Sequence, residues 1–199
     1  MKPILVLDLG GVLVDLGNPA TAMGLDISDD EFWTHWIGSA SVQAYEAGDI
    51  AYEEFVRQLV ADFPAAARQV GERLPEWRLE LFPGIDTVLR DAASHFRFAL
   101  LSNTSGLHWT PLSSSQSVFD VFDALFLSFE TRLLKPDPNA FLQVARHFDC
   151  APEEINFFDD SATNVEAAAA AGIAARQVVG PDELRRQIAS LQERQAREV

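Results

Sequence analysis

The sequence predicts an α/β fold in which a parallel sheet lies between two layers of helices. Five short apolar runs have the composition of strands, and helical patterns separate the later runs. Strands that alternate with helices are typical of a parallel sheet that is covered on both faces. The five runs cover residues 4–8, 96–103, 123–129, 154–160 and 174–179.

The helical patterns between these strands carry clear start and stop signals. Asp137 precedes Pro138, which places an N-cap residue before a proline at the first helical position. Gly172 follows a run of alanines at the kind of position where helices commonly end. The expected helices cover residues 84–95, 137–149, 161–172 and 181–197.

Residues 17–81 break the alternation, because they contain no convincing strand pattern. Ser28 and Glu31 form a capping box at the start of one helix. The segment AYEEFVRQLVADF has its apolar side chains at helical spacing. We therefore expect a small helical cap over residues 17–81, inserted after the first strand into a core that comprises residues 1–16 and 82–199.

The composition restricts the kinds of partner that the protein binds. The 199 residues include 15 basic and 30 acidic side chains, which give a net charge of −15. Such a charge repels phosphate backbones and anionic lipids, so we expect neither a nucleic-acid partner nor a membrane partner. An anionic substrate would require a local positive charge at its site.

Three further features favour a cytoplasmic location. The single cysteine, Cys150, cannot form an internal disulfide and fits a reducing compartment. The first residues, MKPILVLDLGG, contain too short an apolar stretch for a signal peptide and are themselves typical of a strand. No apolar run approaches the length of about 18 residues that a membrane span requires.

Polar side chains follow three of the predicted strands at the points where those strands end. Asp8 ends the first strand, Ser102 and Asn103 end the second, and the pair Asp159 and Asp160 ends the fourth. In open parallel sheets, ligands bind in the crevice outside the carboxyl ends of the strands. Carboxylates that converge there repel one another and require a cation, and hard oxygen ligands suit Mg²⁺. The alternative is that each acid only caps the helix that follows it.

Four short segments carry these residues and a lysine in a definite order. They are DLGGVL with Asp8, LLSNT with Ser102, LLKPDP with Lys135, and FFDDSATN with Asp159 and Asp160. In this order they resemble the haloacid dehalogenase (HAD) superfamily of aspartate-nucleophile hydrolases, over essentially the whole chain. The core would then be the Rossmann-like sheet of that superfamily, and the insert resembles its small cap domain. The pairing of segments is most similar to the branch of sugar-phosphate phosphatases of the glucose-1-phosphate type.

The resemblance implies a phosphatase in which Asp8 attacks phosphorus and forms an aspartyl-phosphate. Ser102 and the backbone N–H of Asn103 would donate hydrogen bonds to the phosphoryl oxygens. Lys135 would neutralise the nucleophile and the phosphate together, and it would supply the local positive charge that an anionic substrate needs in so acidic a protein. The implied partner is a small-molecule phosphate ester, with a sugar phosphate expected, and the protein would be a monomer or a homodimer.

The resemblance also implies a Mg²⁺ site next to the nucleophile. Its ligands would be the Asp8 carboxylate, the backbone carbonyl of Gly10 and Asp160, with Asp159 as a further ligand or a neighbour of the ligands. The metal would shield Asp8 from the incoming phosphate and stabilise the developing charge.

Gly10 departs from the pattern of the superfamily, whose phosphatases normally have a second aspartate at this position. That aspartate protonates the leaving oxygen and later activates water, a role worth roughly 10²–10⁴ in rate. The first interpretation is a slow phosphatase in which water or another group takes over this role. Asp15 and His108 are the candidates along the chain, although a turn acid and a surface histidine would look the same.

Two other interpretations stay open. A 2-haloacid dehalogenase also lacks the second aspartate, because halide leaves without a proton, but such enzymes usually lack the paired acids seen here as Asp159 and Asp160. A ligand-binding or regulatory protein with weak catalysis could keep the same scaffold. Such a protein would be free to lose Ser102 and Lys135, and both are present.

Overall fold

The computed structural model describes residues 2–63 and 67–198 of the chain. The strands are β1 (Ile4–Leu7), β2 (Val14–Asp15), β3 (Glu80–Leu81), β4 (Arg97–Ser102), β5 (Phe122–Leu127), β6 (Ile155–Asp159) and β7 (Ala174–Gln177). The α-helices are α1 (Pro19–Ala22), α2 (Asp29–Gly38), α3 (Ala40–Glu46), α4 (Tyr52–Asp62), α5 (Ala67–Arg73), α6 (Ile85–Ala92), α7 (Gly106–Ser115), α8 (Ser128–Thr131), α9 (Pro138–Phe148), α10 (Ala162–Ala170) and α11 (Gly180–Glu198).

Five parallel strands form the main sheet, in the order β5-β4-β1-β6-β7. β1 lies at the centre, where Leu7 is in register with Leu100 of β4 and with Phe158 of β6. All of β1 is buried, as expected for a strand whose sheet is covered on both faces. The five strands predicted from the sequence are confirmed.

Two hydrophobic clusters lie on opposite faces of this sheet, because successive side chains of a strand point to opposite sides. Leu5 and Leu7 belong to the cluster that α6 and α11 cover. Ile4 and Val6 belong to the cluster that α9 and α10 cover. The predicted three-layer arrangement and its four helices are thereby confirmed. Among the helices of the described residues, none is long and apolar enough to cross a membrane.

Between β2 and β3 the chain forms a helical insert that contains α1 to α5. A third hydrophobic cluster holds the insert together, and the rings of Phe32, Trp36 and Trp77 pack against one another within it. Ser28 caps α2 as predicted, by accepting a hydrogen bond from the N–H of Glu31. The insert therefore has an aromatic core of its own.

The expectation that residues 17–81 contain no strand is wrong at the end of that segment. β3 pairs with β2 in antiparallel fashion, with Val14 opposite Leu81 and Asp15 opposite Glu80. Strands of two residues are too short to show an alternating pattern, so the sequence carries no signal for them. The assignment of residues 17–81 as a separate cap domain stays a prediction.

Candidate active site

The carboxyl ends of three adjacent strands bring the predicted polar side chains to one edge of the sheet. β1 lies between β4 and β6, so Asp8, which follows β1, lies between the ends of those two strands. Ser102 ends β4 and Asp159 ends β6. The parallel register of apolar strands, and not a local contact, therefore creates the site.

Lys135 lies between two of the carboxylates and is almost fully buried. Its Nζ is 2.8 Å from Oδ1 of Asp8 and 2.6 Å from Oδ2 of Asp159, and the residue is 4% exposed. Burial on its own would lower the pKa of Lys135, but the charges of Asp8 and Asp159 outweigh burial and raise that pKa. Lys135 is therefore a positive charge beside Asp8 throughout the physiological pH range.

Hydrogen-bond donors surround the carboxylate of Asp159, which is 0% exposed. Besides Lys135, the backbone N–H of Ser161 donates to its Oδ1 at 2.8 Å. The side-chain amide of Asn164 lies 3.0 and 3.1 Å from its two oxygens. The start of α10 thus fixes Asp159, which in turn fixes Lys135. Asn164 is not among the residues predicted from the sequence, although its place one turn after a strand-end carboxylate is a usable signal.

Asp8, Asp159 and Asp160 form an acidic cluster in which one oxygen of each residue lies within 4.8 Å of the others. Burial raises the pKa of Asp8 to about 7; Lys135 opposes the rise, and the charges of Asp159 and Asp160 add to it. Burial and the charge of Asp159 also raise the pKa of Asp160 to about 6. A divalent cation among these carboxylates would remove their mutual repulsion. The hard oxygen donors fit Mg²⁺ or a similar cation.

The loop after β1 requires glycine at position 11 rather than at position 10. Gly11 has a φ of +67°, and a Cβ at this residue would lie 2.2 Å from Oδ2 of Asp160. A Cβ at Gly10 would meet the methyl groups of Leu16 at 3.2 and 3.3 Å, and such a flexible side chain can shift. Gly11 therefore permits the close approach of Asp160, whereas crowding does not explain why Gly10 lacks a side chain.

Ser102 and Asn103 have different relations to the site. Ser102 is buried, with its hydroxyl 3.4 Å from the carbonyl oxygen of Asn103. The side chain of Asn103 holds the backbone of Lys135 from both sides. Its Oδ1 accepts from the Lys135 N–H at 2.9 Å, and its Nδ2 donates to the Lys135 carbonyl at 2.8 Å. The Asn103 side chain therefore positions Lys135. This role is in addition to the hydrogen bond that the Asn103 backbone N–H is expected to donate to phosphate.

Neither of the two residues named as substitutes for an aspartate at position 10 suits the role. Asp15 is exposed, and its carboxylate accepts a hydrogen bond of 2.8 Å from the N–H of Gly17. His108 is buried against Trp77, with ring centroids 4.8 Å apart. Burial lowers the pKa of His108 to about 4, so its ring is neutral near pH 7 and is a poor acid.

One more carboxyl group with a raised pKa belongs to the insert. Glu46 ends α3 and is half-buried, and its carbonyl accepts a hydrogen bond of 2.6 Å from the hydroxyl of Ser128. Burial raises the pKa of the Glu46 carboxyl to about 7, while Trp36 and the charge of Lys135 oppose the rise. Glu46 is not among the residues predicted from the sequence, because its contact with Ser128 depends on the packing of α3 on α8.

Most of the chain matches one known family. Residues 3–172 match the family model of the haloacid dehalogenase-like hydrolases. The chain belongs to this family. The matched range includes β1 to β6 and α10, and with them Lys135 and the whole acidic cluster. The superfamily inferred from the four short segments is therefore confirmed.

Curated relatives of the chain are distant. D-ribitol-5-phosphate phosphatase of Bacteroides thetaiotaomicron is 27% identical over an alignment of 175 positions, gaps included, that covers 81% of this chain and 84% of the relative. Drimenol cyclase DrtB of Aspergillus calidoustus is 26% identical over an alignment of 203 positions, gaps included, that covers 96% of this chain. The chain spans 37% of the length of DrtB and 42% of that of a phosphoglycolate phosphatase from Nitrosococcus oceani.

A solved structure shares the fold. A HAD family enzyme of Bacteroides thetaiotaomicron is 25% identical, with a TM-score of 0.68, over 89% of this chain and 93% of that chain. A crystal structure of that enzyme contains magnesium and inorganic phosphate. The likeness supports the five-stranded parallel sheet with a helical insert after β1.

Proposed function

We propose that the protein is a Mg²⁺-dependent hydrolase of small phosphate monoesters that forms an aspartyl-phosphate on Asp8. The observation that carries the proposal is the placement of Asp8. This carboxylate lies 2.8 Å from a buried lysine and beside two further acids at the carboxyl edge of the sheet. The magnesium and phosphate bound by the structurally similar enzyme support it, as does the name of the ribitol-5-phosphate phosphatase relative.

The reaction begins when a carboxylate oxygen of Asp8 attacks phosphorus and the bond to the leaving oxygen breaks. The ammonium group of Lys135 stabilises negative charge on the phosphoryl oxygens and favours the ionised form of Asp8, against the effect of burial. The hydroxyl of Ser102 and the backbone N–H of Asn103, at the end of β4, supply further hydrogen-bond donors for the phosphoryl oxygens. Water then attacks the phosphorus of the aspartyl-phosphate, which releases inorganic phosphate and restores Asp8.

The metal would be held by Asp8, Asp160 and the backbone carbonyl of Gly10. Asp159 would hold Lys135 rather than the metal, because the oxygens of Asp159 already accept hydrogen bonds from three residues. When bound, Mg²⁺ neutralises charge between the nucleophile and an incoming phosphate. The raised pKa of Asp8 and of Asp160 supports this ligand set, because ionisation of the cluster is unfavourable without a cation.

The proposed substrate is a sugar phosphate, as in the branch of glucose-1-phosphate-type phosphatases. Residues 17–81 would form the cap that closes over a small ester and selects it. A relative named for D-ribitol 5-phosphate supports a substrate of this size and chemistry. The cytoplasmic location and the monomeric or homodimeric state stay predictions.

Hydrolysis of an aryl phosphate by the purified protein tests the proposal. An aryl oxygen leaves with little protonation, so the glycine at position 10 matters least with this substrate. We expect activity that requires Mg²⁺, stops on addition of a chelator, and falls by about 10³-fold or more in Asp8→Asn.

Halide release from 2-haloacids is the matched assay for the alternative enzyme. Halide release without phosphate release would contradict the proposal in favour of a dehalogenase. Absence of both activities would favour a binding protein.

A further inference from the structure

The proposed Mg²⁺ site, on which this inference rests, draws its ligands from two separate loops. Gly10 lies in the loop after β1, and Asp160 directly follows β6. Mg²⁺ demands a nearly ideal octahedral arrangement of oxygens, so it tolerates little change in the distance between its ligands. The two loops must therefore be held at a fixed separation for the cation to bind tightly.

One short segment, residues 177–180 at the end of β7, donates hydrogen bonds to both loops. The backbone N–H of Gly180 donates to the carbonyl of Gly11 at 2.7 Å. The side-chain amide of Gln177 donates to the backbone carbonyl of Asp160 at 2.8 Å. Residues 177–180 therefore form a bridge between the loop after β1 and the loop after β6.

The sheet fixes the position of this bridge. β7 pairs with β6 in parallel, and Gln177 is in register with Asp159. The N–H of Val178 then donates to the carbonyl of Asp159 at 2.9 Å, and Val178 is fully buried. Buried backbone hydrogen bonds of this kind are costly to break. The bridge is thus anchored in the sheet before it reaches the two loops.

Hydrogen bonds on both sides of Gly11 set the orientation of the backbone around Gly10. The N–H of Gly11 donates to the carbonyl of Val14 at 2.9 Å. The N–H and the C=O of one trans peptide point in opposite directions, so the Gly10 carbonyl points away from Val14. The next carbonyl, that of Gly11, accepts the hydrogen bond from Gly180. Asp160 lies so close to Gly11 that a Cβ there would clash with its carboxylate.

We propose that Gln177 is a positioning residue of the metal site. Its side chain acts through Asp160, because it holds the Asp160 backbone at the distance from Gly10 that the cation needs. The family match ends at residue 172, so it assigns no role to Gln177. Loss of a hydrogen bond that orients a metal ligand typically lowers metal affinity by about 10–100-fold. We expect the lower end of this range, because Gln177 is exposed and holds the backbone of Asp160.

Calorimetric titration of Mg²⁺ into the purified protein measures the metal affinity without turnover. The wild type is compared with Gln177→Met, since methionine has a similar length but cannot donate a hydrogen bond. Gln143→Met is the matched control, because the Gln143 amide also donates to a backbone carbonyl, that of Ala140 at 3.0 Å, within α9. We expect the Kd for Mg²⁺ to rise by about 10-fold in Gln177→Met and to stay unchanged in Gln143→Met.

Ca²⁺ separates positioning of the ligands from a general loss of structure. Because Ca²⁺ accepts more flexible geometry than Mg²⁺, its affinity should fall less in Gln177→Met. Excess Mg²⁺ should also restore the kcat of this variant for an aryl phosphate, since the variant keeps every proposed ligand.

Two results would overturn the inference and leave the proposed function intact. The first is a wild-type Kd for Mg²⁺ in Gln177→Met, and the second is an equal proportional loss of affinity for Mg²⁺ and Ca²⁺. A wild type that neither binds Mg²⁺ nor hydrolyses the aryl phosphate would contradict the proposed function itself, and this inference with it.

Discussion

The surroundings of Asp8 act on its ionised form in opposite directions. Lys135, 2.8 Å away, stabilises the carboxylate, whereas burial and the charges of Asp159 and Asp160 favour the protonated acid. Removal of Lys135 would leave buried carboxylates without a cation, a kind of change that costs about 3–5 kcal/mol of stability. The same competition makes the stability of the folded state depend on pH.

The metal-free protein should lose stability through Asp8 as the pH rises from about 4 to about 7. The pKa of Asp8 is raised to about 7 from an ordinary value of 3.8, so between these values the folded state keeps a proton that the unfolded chain has released. The stability contributed by this proton is complete at the low end of the range and lost at the high end. Asp8→Asn lacks this titration, so its Tm should rise relative to that of the wild type across the range.

Thermal unfolding of both proteins with a chelator, at several pH values, measures this difference. A difference in Tm that is independent of pH would contradict a raised pKa at Asp8. Added Mg²⁺ should weaken the trend in the wild type, because a bound cation favours the ionised carboxylate.

The sequence predicted the members of the acidic cluster but not the contacts that hold Lys135. Apolar strands end at Asp8 and Asp159, and their parallel register brings those ends together whatever the loops do. The contact between the Asn103 side chain and the Lys135 backbone depends instead on how the segment before α9 crosses the end of β4. No periodicity in the sequence encodes that crossing.

At the level of helices and strands, the hydroxyl of Ser128 connects three elements. It donates to the Glu46 carbonyl at the end of α3 and accepts from the Thr104 N–H after β4, while it belongs itself to α8. Ser128 and Thr104 are both buried, so water does not readily replace these bonds. The insert and the strand ends therefore share one buried polar contact.

Ser128→Ala should destabilise the protein by about 1–3 kcal/mol, because it leaves the buried Thr104 N–H without its acceptor. Urea unfolding measures the change. Ser114→Ala is the matched control, because that exposed hydroxyl only donates to the Thr110 carbonyl within α7, at 2.7 Å. The control should stay within about 0.5 kcal/mol of the wild type. Equal stabilities of the two variants would contradict the role given to Ser128.

Elements with long apolar patterns could be predicted, and short or irregular elements could not. The five sheet strands and the helices α6, α9, α10 and α11 follow from periodicity and end signals. α7 lies outside that set, since it contains Pro111 and a run of serines near its end, and its first turn contains no acidic residue. β2 and β3 are two residues each, and tertiary pairing alone defines them.

At the level of the whole molecule, the insert has a hydrophobic cluster of its own, apart from the two clusters that cover the sheet. Asp8, Lys135 and the paired acids all lie in the part of the chain that forms the sheet and its covering helices. The protein carries a net charge of −15, so the buried Lys135 provides attraction for phosphate where the surface as a whole repels it.

This division explains which contacts could be predicted. The site residues at the strand ends follow from local patterns, which a single sequence displays. The docking of the insert on the strand ends does not, since the contact between Glu46 and Ser128 joins residues 82 positions apart. Gly10 signalled that a proton donor was absent, but the two replacements that the sequence offered, Asp15 and His108, do not suit the role.

The phosphoenzyme provides the most direct test of the central claim, that Asp8 is the nucleophile of a phosphatase. The protein is mixed with an aryl phosphate and Mg²⁺, and the reaction is quenched in acid during turnover. The protein is then digested, and the masses of its peptides are measured by mass spectrometry. We predict one phosphoryl group on Asp8 in the wild type and none in Asp8→Asn, which should also lack turnover. A phosphoryl group on another residue, or undiminished turnover in Asp8→Asn, would contradict the account.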